Sequence, residues 1–215
     1  MARISASILG FLFDSRKNKE SSDSMISRIN KALKEKEKDF DILHLDIEDG
    51  KFVKYKSFRA SELRKIKSIH KKEAHLMVVN YKRYIADLFP IVQMFIFHEE
   101  VLKRDFSKTI DFIKKNKKFV GISISPDTHI DEIRYLDRID LILVMSVYPG
   151  LPRQRFIEQT LWKIRKLKEL RRKNKWKFAI EVDGGIHKDN MQKITNAGAD
   201  ILVMGSGFFT RKQQN

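Results

Sequence analysis

Ile42-Leu43-His44-Leu45-Asp46-Ile47 is the stretch on which the fold turns. Its aliphatic residues form the kind of run that a strand needs when both its faces are covered, as in a parallel sheet. Its two ionisable residues stand two apart, and alternate strand residues share a side, so His44 and Asp46 leave the strand together. Ionisable groups in a buried strand are costly unless something joins them. The segment therefore carries chemistry as well as structure.

Seven further runs of the same type surround it: Ile4 to Leu9, Ala74 to Val79, Met94 to Phe97, Phe119 to Ile124, Leu141 to Val147, Phe178 to Val182 and Ile201 to Met204. Between them the apolar period changes to that of a helix. Met25, Ile29 and Leu33 recur every four residues, as do Phe106 and Ile110, with Ile113 following at three. Leu63, Ile66 and Ile69 recur at three, and Ile157, Leu161, Ile164 and Leu167 stripe a long basic helix. Eight β-α alternations in 215 residues favour an α/β fold of the (β/α)8 TIM-barrel type over an open sheet. No linker or low-complexity tract divides the chain, so residues 1–215 read as a single barrel domain. Only Thr210 to Asn215 follow Phe209, which leaves room for no more than a shortened last helix.

The composition narrows the functional classes. The formal charge of +16 comes from 44 Lys and Arg against 28 Asp and Glu. The lysines are spread over helix faces (Lys31, Lys34, Lys36, Lys38; Lys65, Lys67, Lys71, Lys72; Lys114, Lys115, Lys117, Lys118), without the interleaved aromatic platform of a single-strand binder. Nucleic acid is thus not the expected partner, whereas a positive field suits a small phosphorylated substrate. No run approaches the roughly 18 apolar residues of a membrane span, and Met1-Ala2-Arg3 leads into no signal-peptide core. A cytoplasmic protein away from membranes is expected. With no cysteine, any metal falls to His and carboxylate.

In a barrel of this kind the strand C-terminal ends converge on one mouth, where chemistry sits. His44 and Asp46 come from the second strand, His75 from the third and Asp183 from the seventh. Two imidazoles and two carboxylates suit one divalent ion per chain, Zn2+, Fe2+ or Mn2+. Beside them, Gly184 and Gly185 open the loop after strand seven, and Gly205-Ser206-Gly207 follows strand eight. Glycine loops in these positions are a common phosphate cradle in barrels. His98, at the end of strand four, reads as a hydrogen-bonded structural residue, and His70, His129 and His187 as surface residues.

These strings together resemble the ribulose-phosphate 3-epimerase family along nearly the whole chain. The resemblance rests on Ser5-Ala6-Ser7-Ile8-Leu9, His44-Leu45-Asp46-Ile47 with Asp49-Gly50 and Phe52-Val53, and His75-Leu76-Met77-Val78 with Asn80 and Arg83-Tyr84-Ile85. It continues through Phe97-His98, Pro126 with Thr128, Val144-Met145-Ser146-Val147 with Pro149-Gly150 and Gln154, Glu181-Val182-Asp183-Gly184-Gly185-Ile186, and Ala197-Gly198-Ala199-Asp200 with Gly205-Ser206. It implies a (β/α)8 barrel with one divalent metal on His44, Asp46, His75 and Asp183. The implied reaction interconverts D-ribulose 5-phosphate and D-xylulose 5-phosphate, by proton transfer between Asp46 and Asp183 through a metal-stabilised enediolate. Ser7, His75, Met77 and Met145 would face the substrate, and Gly150, Gly184, Gly185, Gly205 and Ser206 its phosphate. A homo-oligomer is expected.

The chain departs from the family pattern in four places. Glu48 replaces a methionine, and Lys54-Tyr55-Lys56 replaces the usual Pro-Asn start of a substrate-covering loop. Tyr148-Pro149-Gly150-Leu151-Pro152-Arg153 carries Tyr148 for Asn and Leu151-Pro152-Arg153 for Phe-Gly-Gly, which leaves Arg153 either to grip phosphate or to lie exposed. The last helix is short. These changes keep two alternatives open: a 3-epimerase of another ketose phosphate such as allulose 6-phosphate, and a weakly catalytic relative that binds sugar phosphates or polyanions.

Overall fold

A computed structural model describes residues 2–150 and 153–209. Among these residues eight strands occur: β1 (Arg3–Ser7), β2 (Ile42–Glu48), β3 (Lys71–Met77), β4 (Met94–His98), β5 (Phe119–Ile124), β6 (Leu141–Met145), β7 (Ala179–Asp183) and β8 (Ile201–Met204). Each pairs in parallel with its sequence neighbours, and β1 pairs with β8, which closes the barrel. Helices α1 (Leu9–Lys17), α2 (Ser22–Glu35), α3 (Ala60–Leu63), α4 (Tyr81–Leu88), α5 (Phe106–Lys115), α6 (Thr160–Asn174), α7 (Lys188–Ala197) and α8 (Ser206–Phe209) make the connections.

The two-residue period of the strands separates two cores. Leu43, Leu45 and Ile47 lie in the large apolar cluster shared with the helices. Their alternates His44, Asp46 and Glu48 must then point into the barrel. Other inward residues are apolar: Leu141, Leu143 and Met145 of β6 join Ile201 and Val203 of β8 and Ile96 of β4 in a second cluster. Polar side chains share the interior with them: Ser5, His44, Glu73, His75, His98 and Glu181 are all buried.

The structure corrects three local expectations. β1 ends at Ser7, and Leu9 already belongs to α1, so the first run is a strand followed at once by a helix. The three-residue spacing of Leu63, Ile66 and Ile69 does not mark a long helix. α3 ends at Leu63, Ile66 is buried just after the turn that follows it, and Ile69 is 77% exposed two residues before β3 begins. The connection from β5 to β6 holds a single 3-10 turn, Ile130–Glu132, where the alternation predicts a helix. Its buried apolar residues, Ile130, Ile133 and Ile139, pack from this irregular connection with no further helix among them. The ammonium of Lys163 on α6 secures this connection by donating to the carbonyls of Ser125 (3.0 Å), Pro126 (2.5 Å) and Thr128 (2.6 Å).

Candidate active site

The register of β2 against β3 sets Asp46 beside His75, and β7 brings Asp183 from the far side of the mouth. The four side chains meet. His44 Nε2 lies 3.4 Å from Asp46 Oδ1 and 4.0 Å from Asp183 Oδ2, and His75 Nδ1 lies 3.3 Å and 3.9 Å from the same two oxygens. One donor atom from each of the four residues falls within 4.8 Å of all the others.

Each group is held from behind. His44 Nδ1 is 2.8 Å from Glu73 Oε1, which also accepts the Ser5 hydroxyl at 2.5 Å. The Ser7 hydroxyl donates to Asp46 Oδ2 at 2.6 Å, leaving Oδ1 for the cluster. Ser146 ties down the Asp183 end, its N–H and hydroxyl both donating to the Asp183 carbonyl (2.7 and 2.9 Å) and the hydroxyl also to the Gly184 carbonyl. His75 Nε2 lies 2.9 Å from Nε2 of His98, whose Nδ1 is 3.0 Å from Glu100 Oε2.

The electrostatics suit a divalent cation. His44 Nε2 is fully buried and has no hydrogen-bond partner among the described residues, although it faces two carboxylates. Burial opposes a charge on His44, but Asp46 and Glu73 prevail and raise its pKa well above the ordinary histidine value. Burial lowers the pKa of His75 to about 4, so its ring is neutral. Burial also opposes ionisation of Asp46, yet His44 and His75 outweigh it and hold Asp46 below the usual carboxylate range. Burial first, and then the negative charge of Asp46, raise Asp183 to about 7. A cation seated among these atoms would relieve that repulsion and give His44 Nε2 its missing partner. His44, Glu73 and Glu181 form a second, deeper trio of donors. There Glu73 Oε1 is already engaged by His44 and Ser5, and burial, with the adjacent Glu73, raises Glu181 well above the usual carboxylate range.

A cavity of about 620 Å3 opens above the cluster. Ser7, Asp46, Met77, Met145 and Asp183 line its floor, while Gly150, Gly184, Gly185, Gly205 and Gly207 line the other end. His44 and His75 lie beneath the floor, fully buried. The Gly184-Gly185 turn admits no side chain. A Cβ on Gly184 (φ +116°) would come 2.4 Å from Val147 Cγ2, and one on Gly185 (φ +63°) would come 2.3 Å from the Phe156 nitrogen. Asn190 fixes that turn, donating to the Gly185 carbonyl and accepting the His187 N–H, both at 2.9 Å.

Arg153 also lines the cavity, with a left-handed backbone (φ 63°) where the family pattern has glycine. Its guanidinium pairs with Asp14 of α1 at 2.6 Å. Leu151, Pro152 and the Ser206 side chain lie outside the described residues. Glu48 is 4% exposed, and neither of its oxygens has a partner among the described residues. Burial and Asp46 together raise it to about 8. His129 and His187 are exposed, though His187 borders the cavity, and His70 is half-buried with Nε2 2.7 Å from the Glu37 carbonyl.

Sequence reasoning misses Ser5, Glu73, Glu100 and Asn190 as supports of this site, while its reading of His98 as a hydrogen-bonded structural residue agrees with the contacts to His75 and Glu100. A signal was present for one of them: Glu100 follows His98 at the two-residue spacing that links His44 to Asp46.

The chain is similar to known proteins. The family described as "Ribulose-phosphate 3 epimerase family" matches residues 21–209. A ribulose-phosphate 3-epimerase of Buchnera aphidicola is 38% identical over 176 residues, covering 79% of this chain and 77% of its own. Those of Aquifex aeolicus and Escherichia coli K12 are 35% and 32% identical, with 80% and 79% of this chain covered and 79% and 77% of theirs. Among solved structures, KGPDC from Streptococcus mutans superposes with a TM-score of 0.67 at 13% identity, covering 99% of this chain and 91% of that one. A tryptophan synthase alpha-subunit mutant from Pyrococcus furiosus superposes at 0.63 and 14% identity, covering 97% and 90%. These two share the barrel fold. Among the described residues no helix is long and apolar enough to cross a membrane.

Proposed function

The chain belongs to the ribulose-phosphate 3-epimerase family, and from that premise we propose that it interconverts D-ribulose 5-phosphate and D-xylulose 5-phosphate with one divalent cation held by His44, Asp46, His75 and Asp183. The observation that carries this reading is the meeting of two carboxylates from opposite sides of the mouth, each beside the same pair of imidazoles. A cation bound there supplies Lewis acidity, drawing electron density from the substrate's ketone and so acidifying the neighbouring C–H.

The proton transfers fall to the chain's own carboxylates. Epimerisation at C3 removes a proton from one face and returns one to the other, so the site needs one acceptor and one donor. In the cation-free state Asp46 is held ionised, while Asp183, raised to about 7, carries a proton for much of the time at neutral pH. The Ser7 hydroxyl, by occupying Asp46 Oδ2, fixes the carboxylate with Oδ1 beside His44 and His75. Met77 and Met145 lie against the floor and exclude water without offering a competing proton. The phosphate would lie at the far end, on backbone N–H groups of the Gly184-Gly185 turn and of the segment from Gly205, with Gly150 across from them. The same reading makes this a cytoplasmic enzyme of sugar-phosphate metabolism.

The test is to supply Zn2+, Fe2+ or Mn2+ and offer D-ribulose 5-phosphate and D-allulose 6-phosphate separately, following the products by 13C NMR. The proposal expects xylulose 5-phosphate from the five-carbon sugar at a rate well above that of the six-carbon one. Preference for the six-carbon sugar would reassign the substrate and point to Glu48 and the 148–153 loop. Conversion of neither sugar by folded, cation-loaded protein would overturn the assignment.

A further inference from the structure

We propose that Arg153 is a phosphate-binding residue of this chain, a guanidinium held at the glycine end of the cavity by Asp14 and set to grip the phosphate of a sugar phosphate. The inference rests on the reading of the cavity as a sugar-phosphate site, and it adds a charged side chain to the backbone N–H groups of the glycine turns.

The backbone of Arg153 is the first observation. At φ 63° it occupies the left-handed region, which is costly for a residue with a Cβ. Lys19, Lys117 and Lys175 share that conformation. They follow α1, α5 and α6 within two residues, where a left-handed residue commonly ends a helix. Tyr135 is left-handed as well, but it does not line the cavity. Arg153 does line it, and no helix ends there, since α6 begins only at Thr160. Glycine would take this backbone without strain. An arginine kept there at a cost points to a use for its side chain.

The second observation is where the guanidinium stands. Its Nη2 donates to Asp14 Oδ1 at 2.6 Å, which joins the connection after β6 to the helix after β1. Between those strands in the barrel lie β7 and β8, whose ends carry the Gly184-Gly185 turn and Gly205. Both anchors of the ion pair adjoin that end. A Cβ on Gly185 would come 2.9 Å from the Arg155 carbonyl carbon, so the chain just past Arg153 lies against the turn. On the other side α1 packs against α8, which follows Gly205, with the rings of Phe11 and Phe209 5.0 Å apart. Leu9 and Gly10 of α1 line the same cavity.

The third observation is the supply of free donors. A guanidinium carries five N–H groups. Among the described residues Asp14 is the hydrogen-bond partner of the Arg153 side chain, and it takes a single N–H. The others suffice for a bidentate grip on phosphate. The pair with Asp14 is exposed, so its rearrangement when a dianion arrives costs little.

The test compares wild type with Arg153→Gly, Asp14→Asn and Arg155→Gln, the last altering the other arginine that lines the cavity. Cation-loaded chains are assayed on D-ribulose 5-phosphate, and cation-free chains are titrated with inorganic phosphate by calorimetry. Glycine removes the side chain yet suits the left-handed backbone, so Arg153→Gly is expected to fold with a thermal midpoint close to that of wild type. Its KM should rise several-fold with kcat unchanged, and its Kd for phosphate should rise by a similar factor. Asp14→Asn removes a charge that competes with phosphate for the guanidinium, so its KM should be unchanged or lower. Wild-type KM and Kd in Arg153→Gly would overturn the proposal. Equal rises in Arg153→Gly and Asp14→Asn would also overturn it, by making the ion pair a strut of the loop. A rise confined to Arg155→Gln would assign the phosphate to the other arginine. Phosphate binding that is weakened by Arg153→Gly, in a chain that converts no ribulose 5-phosphate, would uphold Arg153 while overturning the substrate.

Discussion

The two ends of the cavity are built on different principles. At the floor, His44, Asp46, His75 and Asp183 project from strand ends, and each is fixed by a second residue: Glu73, Ser7, His98 and Ser146. At the far end the candidate groups are backbone amides in glycine turns, together with Arg153, whose side chain is 57% exposed and reaches α1 through one ion pair. Proton transfer needs its groups placed to within about half an ångström, and packed strands with locked partners can provide that. A dianionic phosphate is satisfied by several N–H groups in any of several loop conformations. By the resemblance read in the sequence, the floor residues follow the family pattern. Of the departures, Tyr148 with Arg153 and Lys54-Tyr55-Lys56 fall on loops instead. Glu48 is the exception, a change on a strand within two residues of Asp46.

This contrast can be broken most severely at the floor. Asp183→Asn keeps the shape of the side chain but removes a proton carrier, and kcat is expected to fall by roughly 10^2- to 10^4-fold in a steady-state assay. A loss of only a few-fold would mean that Asp183 moves no proton. At the far end, Gly185→Ala forces a Cβ against the Phe156 backbone at a positive φ. A destabilisation of about 1–3 kcal/mol is expected in urea unfolding, with KM raised more than kcat is lowered.

Glu48 sharpens the comparison through pH. Its folded-state pKa of about 8 lies above the ordinary value of 4.5, so the folded protein holds this proton more tightly. Its effect on stability is therefore absent at low pH and becomes a growing penalty as pH rises from about 4.5 to 8. In cation-free protein Glu48→Met should gain little at pH 5. At pH 8.5 it should gain on the order of 2–4 kcal/mol, at about 1.4 kcal/mol per pKa unit. A gain independent of pH would place the benefit in packing alone. The smallest effect belongs to Arg153→Ala. Its exposed pair with Asp14 contributes no more than about 1 kcal/mol to stability, while KM should rise several-fold with kcat unchanged if the guanidinium reaches the phosphate.

The sequence made the floor legible because strand periodicity is short-range. His44 and Asp46 share a side by spacing alone, and Asp183 lies at the end of an apolar run. The supports were hidden because they are contacts between strands. Glu73 sits in Lys71-Lys72-Glu73, which looks like a solvated charge run until β3 pairs with β2 and buries Glu73 against His44 and Ser5. The contact of His98 with Glu100 depends on a 3-10 turn (Glu99–Val101) and on a loop held from α6, and no local pattern encodes either. The spacing of Leu63, Ile66 and Ile69 misled for a related reason. A three-residue repeat fits one helical turn as well as several, and the nearby start of β3 decides in favour of one.

The most direct test of the two-carboxylate site is to follow D-ribulose 5-phosphate in D2O by 1H NMR with cation-loaded wild type and with Asp183→Asn. Deuterium entering C3 as xylulose 5-phosphate accumulates, with product formation lost in the variant, is the predicted result. Product formed without deuterium at C3, or formed equally well by Asp183→Asn, would contradict proton transfer between Asp46 and Asp183.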